Sequence, residues 1–210
     1  MLKEACVENF TKVPSVIQRG AQRIELCDNL AVGGTTPSVG VMKKAINYCH
    51  EKEVTVAVML RPRGGNFVYT LDEKKIMAED LKTILNANAD AVVIGALTED
   101  NQLDEAFLVE IAKQVKERQR ELVFHMAFDD IPADKQKNSL YRLEEMGFDR
   151  ILTHGGPMSQ SIFETVENLK KLMEWRQTIT ILPGGGITRD NLAALQEKLS
   201  FQEVHGTKIV

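Results

Sequence analysis

Val54-Thr55-Val56-Ala57-Val58-Met59-Leu60-Arg61-Pro62-Arg63-Gly64-Gly65-Asn66-Phe67 runs from an apolar segment directly into two arginines and two glycines. Residues 54–60 have the unbroken apolar character of a strand buried on both faces. Arginines and glycines at the end of such a strand are costly in a core and useful at a site. Arg presents a fixed guanidinium fork to carboxylate or phosphate, and Gly lets the backbone approach a ligand closely. The segment therefore reads as a buried strand opening onto a binding mouth.

The same pattern repeats outward in both directions. Strand-like apolar runs cover residues 2–7, 23–27, 54–60, 91–97, 122–128, 150–153, 179–182 and 202–205. Between them, apolar residues recur at helical spacing over 11–20, 39–52, 71–86, 104–120, 135–146, 161–176 and 190–199. Strict alternation implies parallel βαβ units. Eight such strands in 210 residues predict an α/β chain folded as one (β/α)8 TIM-type barrel domain over 1–210. An open doubly wound sheet would carry a glycine-rich turn after its first strand, and Val7-Glu8-Asn9-Phe10 contains no glycine. A closing helix after the eighth strand is not evident.

With 43% apolar and 27% charged residues, the composition is that of a globular protein. A net charge of -4 argues against a general nucleic-acid surface. No run is long and apolar enough to span a bilayer, so no membrane partner is expected. The first residues pass almost directly into a strand pattern, so no signal peptide is expected either. Three cysteines without framework spacing fit free thiols in a reducing, cytoplasmic setting.

Polar residues inside buried strands need a reason. With a period of two, Glu25 and Cys27 share a face, as do Glu4, Cys6 and Glu8. Residues 122–128 read as one strand, which places His125 and Asp129 together, and Glu203 pairs with His205. We expect this set to point into the barrel near its mouth, where barrel enzymes keep their sites. Taken singly, each has a structural reading: a carboxylate paired with Arg23 or Arg61, a satisfied core histidine, or a small buried thiol. Their convergence from four strands is what points to function.

Glycine loops complete the mouth. Pro183-Gly184-Gly185-Gly186-Ile187 follows the seventh strand, where barrels commonly hold phosphate on backbone N–H groups. Arg61, Arg63, Gly184, Gly185 and Gly186 are the candidate anion-binding residues. Thr153-His154-Gly155-Gly156 follows the sixth strand, and Gly33-Gly34-Thr35-Thr36-Pro37-Ser38 follows the second and then caps a helix.

Taken together, Glu25-Leu26-Cys27, the Gly33–Ser38 loop, Arg61-Pro62-Arg63-Gly64-Gly65-Asn66-Phe67, the stretch 124–129, Gly184-Gly185-Gly186-Ile187 and Glu203-Val204-His205 resemble the CutC family, named for copper homeostasis. The resemblance implies a cytosolic TIM-type barrel, copper handling and a homodimer. It departs at Met126, where the family usually carries Arg.

Two functions follow. In the first, the protein binds Cu(I), a soft ion that selects thiolate and thioether ligands, through Cys6 and Cys27 with His205 or His125 as a further donor. No CxxC pair supports it, and the eight methionines are scattered along the chain. In the second, the barrel is an enzyme without an organic cofactor that acts on a small anionic or phosphorylated metabolite. Its candidate acid and base groups are Glu25, His125 and Asp129, because buried carboxylates and imidazoles are tuned toward neutral pH.

Overall fold

The computed structural model describes residues 1–210. Strands β1 (Leu2–Glu8), β2 (Arg23–Cys27), β3 (Thr55–Met59), β4 (Ala91–Ile94), β5 (Glu121–Phe124), β6 (Arg150–Thr153), β7 (Thr180–Pro183) and β8 (Glu203–Gly206) are joined through helices. These are α1 (Val13–Gln18), α2 (Val39–His50), α3 (Leu71–Asn86), α4 (Glu105–Glu117), α5 (Ala133–Glu145), α6 (Val166–Trp175) and α7 (Leu192–Gln196). All strand pairs are parallel, in the order β7-β6-β5-β4-β3-β2-β1-β8. The result is the expected (β/α)8 barrel, nearly closed. No helix is long and apolar enough to cross a membrane.

Two apolar layers hold it together. The larger lies between the strands' outward faces and the helices, and Ile24, Val56, Ile94 and Phe124 anchor it from the strand side. The smaller fills the barrel interior and includes Cys6, Cys27, Ala57, Met59, Val93 and Leu152. At the N-terminal end of the barrel, carboxylates take backbone amides at the openings of β3, β5 and β7. Asp90 accepts from Val56 N at 2.7 Å, Asp149 from Leu122 N at 2.7 Å, and Glu144 from the amides of Gln177, Thr178 and Ile179 at 2.7–3.0 Å. Thr70 and Glu73 form a reciprocal capping box at the start of α3.

Three expectations about elements change. Residues 122–128 are not one strand: β5 ends at Phe124, and Met126–Asp130 is a 3-10 turn. The His125 ring caps that turn, accepting Ala127 N–H on Nδ1 at 3.1 Å, so a local side-chain bond takes the place of the ladder. Strand alternation therefore does not bring His125 and Asp129 to one face. The run at 161–176 is helical only from Val166, and Glu203 lies at the opposite end of the barrel from the mouth, level with Leu2.

The seam between β7 and β8 has no regular ladder. Thr188 pairs with Lys208 just beyond it, and Gly206 packs so tightly that an added Cβ would sit 2.6 Å from Ile187 O. That neighbour is backbone and cannot swing away. Gly206→Ala should lower unfolding free energy by about 1–3 kcal/mol, read by urea denaturation; an unchanged midpoint would show that the seam does not need the close approach.

Candidate functional site

A cavity of about 1000 Å³ opens at the C-terminal ends of the strands. Cys6, Glu25 and His205 lie on its floor; Arg61, Phe67, His125 and Asp129 form one wall; Gly185, Gly186, Ile187, Thr207 and Lys208 form the other. The sequence-predicted residues thus converge here, with three exceptions. Arg63, Gly184 and Cys27 do not line the cavity, although Cys27 is buried beside Cys6 and Glu25. Arg63 donates to Glu73, to Asn66 O at 2.9 Å and to Val68 O at 2.8 Å, which fastens its loop to the start of α3. Gly184 is a packing glycine, because a Cβ there would meet Leu152 Cδ1 at 2.5 Å.

The floor is a chain of buried ionisable groups. Glu4 pairs with Arg23 and accepts from His205 Nδ1 at 2.7 Å, while His205 Nε2 lies 3.7 Å from Glu25 Oε2. Burial opposes ionisation of Glu4, but Arg23 and His205 outweigh it and hold its pKa down to about 2. His205 is likewise opposed by burial and raised well above the ordinary histidine value by Glu25 and Glu4. It is therefore an imidazolium clasped between two carboxylates. Below, Arg23 reaches Glu203 at 2.6 Å, and Arg150 joins Glu203 at 3.0 Å.

Beside this chain sit the two thiols. Cys6 and Cys27 are buried and free, and donor atoms of Cys6, Glu25 and Cys27 lie within 4.8 Å of one another. Cys27 Sγ donates to Glu25 Oε2 at 3.6 Å, while Glu25 Oε1 has no partner. The bond shared with Cys27, together with burial, pushes the Cys6 thiol well up. That same bond lowers Cys27, but burial and Glu25 prevail and lift it to about 11. Burial raises Glu25 as well. Both thiols therefore hold their protons at neutral pH.

At the mouth, Arg61 Nη1 donates to Val32 O and Gly34 O at 2.9 Å each, and Nη2 to Gly65 O at 2.7 Å. The guanidinium stacks 4.9 Å from the Phe67 ring and leaves Nε unpartnered. His125 Nε2 is also buried without a partner. Asp129 accepts from Thr153 Oγ1 at 2.5 Å, His154 N at 2.9 Å and Gly155 N at 3.0 Å, yet burial still raises its carboxyl to about 6. Gly185 and Gly186 have positive φ of 78° and 72°. Their amides and that of Ile187 find no acceptor in the chain.

Other residues that support or line the cavity had no site role in the sequence pattern. His154 steadies the glycine loop, with Nδ1 3.1 Å from Gly185 O and Nε2 3.1 Å from Gln160 O. Lys208 brings a cation with no carboxylate partner to the rim. Met59, Met126 and Met158 stand far apart in sequence and line this single cavity. Only the barrel's closure brings them together.

Burial and the nearby Arg61 charge push His125 down from 6.5 to about 3. Between those values the unfolded chain takes up a proton that the folded chain refuses, so stability falls as pH drops. From pH 7 to pH 5 this residue should remove about 2 kcal/mol. His125→Phe should lose that much less than the wild type over the same interval in urea titrations. Parallel losses would show that His125 is not held neutral.

A sequence profile described as the CutC family matches residues 1–210. A family protein CutC of Enterococcus faecalis is 50% identical over 214 residues, covering 100% of both chains. A human copper homeostasis protein cutC homolog is 36% identical over 205 residues, covering 97% of this chain and 72% of its own length. The crystal structure of a CutC protein from Streptococcus agalactiae superimposes with a TM-score of 0.92 at 44% identity, with both chains fully covered. A deoxyribose phosphate aldolase from Aeropyrum pernix shares the fold alone, with a TM-score of 0.70 at 14% identity. On profile, sequence and structure alike, this chain belongs to the CutC family.

Proposed function

We propose that the protein serves copper homeostasis in a reducing compartment by holding Cu(I) between Cys6 and Cys27. The observation that carries this reading is the pair of free thiols beside a carboxylate, their donor atoms within 4.8 Å of one another. Cu(I) favours few, soft ligands, and two sulfurs on adjacent strands meet that preference. Copper is the cargo here rather than a resident cofactor. Binding replaces two thiol protons: Glu25, already hydrogen-bonded to Cys27, accepts one, and the Cys6 proton leaves to solvent through the cavity that Cys6 lines. Two thiolates and one Cu(I) carry a single negative charge, which the His205 imidazolium offsets. His205 thus acts as counter-ion, and its service as a ligand would first require loss of its proton.

The expected outcome is tight one-to-one Cu(I) binding in an anaerobic chelator competition. Affinity should drop by at least about a hundredfold, roughly 3 kcal/mol, in Cys6→Ser/Cys27→Ser. Equal affinity in that variant, with its melting transition intact, would dispose of the thiol site.

A second reading is favoured by the three acceptor-free amides at Gly185, Gly186 and Ile187. Successive N–H groups in such a loop form an anion-binding concavity. With Lys208 at the rim, Arg61 Nε and His125 Nε2 unpartnered, and Asp129 near neutrality, the mouth suits a small phosphorylated metabolite and proton transfer. Lys208→Glu should weaken binding of inorganic phosphate by about tenfold in calorimetry, since it reverses a rim charge. Identical phosphate binding in the two proteins would remove this reading.

A further inference from the structure

We infer that Met126 and Met158 form a thioether site at the cavity mouth, where Cu(I) is received before it passes to Cys6 and Cys27. This rests on the thiol reading above and supplies the step it lacks, because both thiols are buried and an ion must reach them from solvent.

The placement of sulfur carries the inference. Met158 stands at the rim with 60% of its surface exposed. Its Sδ lies 2.9 Å, and the Met126 Cε 3.1 Å, from the point a Cβ on Gly185 would occupy. The ends of the two thioethers therefore converge over one glycine that leaves room for them. Met126 in turn packs against the interior cluster containing Cys6, Cys27 and Met59. Sulfur thus descends from the rim to Cys6 along a single cavity, with Cys27 buried beside it.

The chemistry of the two donor types suits this order. A thioether is neutral and has no proton to lose, so it can take a soft ion at once. A thiol binds as its thiolate, so each must lose a proton before it takes the ion. In the transfer, two copper–thioether bonds break as two copper–thiolate bonds form. The Cys27 proton passes to Glu25, the Cys6 proton leaves to solvent through the cavity that Cys6 lines, and copper remains Cu(I), so no electron moves. Packing alone would be served equally well by leucine of similar volume, and that contrast makes the inference testable.

The test delivers Cu(I) anaerobically as its bathocuproine disulfonate complex and follows loss of the chelate colour by stopped flow. Met126→Leu/Met158→Leu should slow uptake about tenfold, as removal of one weak ligand step would. Its final affinity should stay within about threefold of the wild type, because the thiols still hold the ion. An unchanged rate with uptake intact overturns the mouth site alone. A second measurement uses Cys6→Ser/Cys27→Ser with isotope-labelled methionine methyl groups and Ag(I) as the probe. Shifts at the Met126 and Met158 methyls support the mouth site even if the thiols take up no copper, whereas unshifted methyls overturn it.

Discussion

Glu4 is the point on which the barrel turns. A carboxylate taken wholly out of water costs several kcal/mol unless its partners arrive in good geometry. Glu4 draws them from both neighbours of β1: Arg23 on β2 and His205 on β8, each its direct register partner. A slip of one residue in either pairing would turn a buried charge to the wrong face. Register across three strands is thus bound to charge compensation. The same chain of charges then presents Glu25 and His205 to the floor of the cavity. What keeps the strands in place also sets the electrostatics beneath the thiols.

Alternation of apolar runs with helical spacing was enough to read the barrel, because parallel strands buried on both faces leave little ambiguity between strand and helix. It also brought Glu25, Cys27, Cys6 and His205 to one interior, since a period of two decides which side a strand residue faces. Where the reading failed, a local bond had displaced the periodic one. His125 caps a 3-10 turn with its own ring, and no apolar pattern reports that. Arg63 looked like a second anion ligand because its neighbours are glycines, yet its loop spends the guanidinium on its own carbonyls and on Glu73. The cavity methionines were illegible for a different reason: Met59, Met126 and Met158 become neighbours only when β3, β5 and β6 are placed around one axis.

The cavity is split between two kinds of chemistry. Its floor is soft and proton-rich, with the Cys6 thiol beside a carboxylate and Cys27 buried next to both. Its glycine wall is hard, with amide donors and a lysine, and the methionines stand where the two meet. Arg61 is the structural hinge of this division. By holding three carbonyls from two loops it orders the rim before any ligand comes, which reduces the entropy that binding must otherwise remove.

The pairing of β1 with β8 has a consequence for how the chain is made. The first strand completes one edge with the last, and Glu4 meets His205 across 201 positions of sequence. During synthesis β1 emerges before β8, and that edge stays open until β8 has left the ribosome. For that interval the nascent protein carries an unpaired strand edge and an acidic group whose buried form has no histidine to meet. Closure therefore waits on the synthesis of β8, and a product truncated before β8 would be left with its edge exposed to other chains.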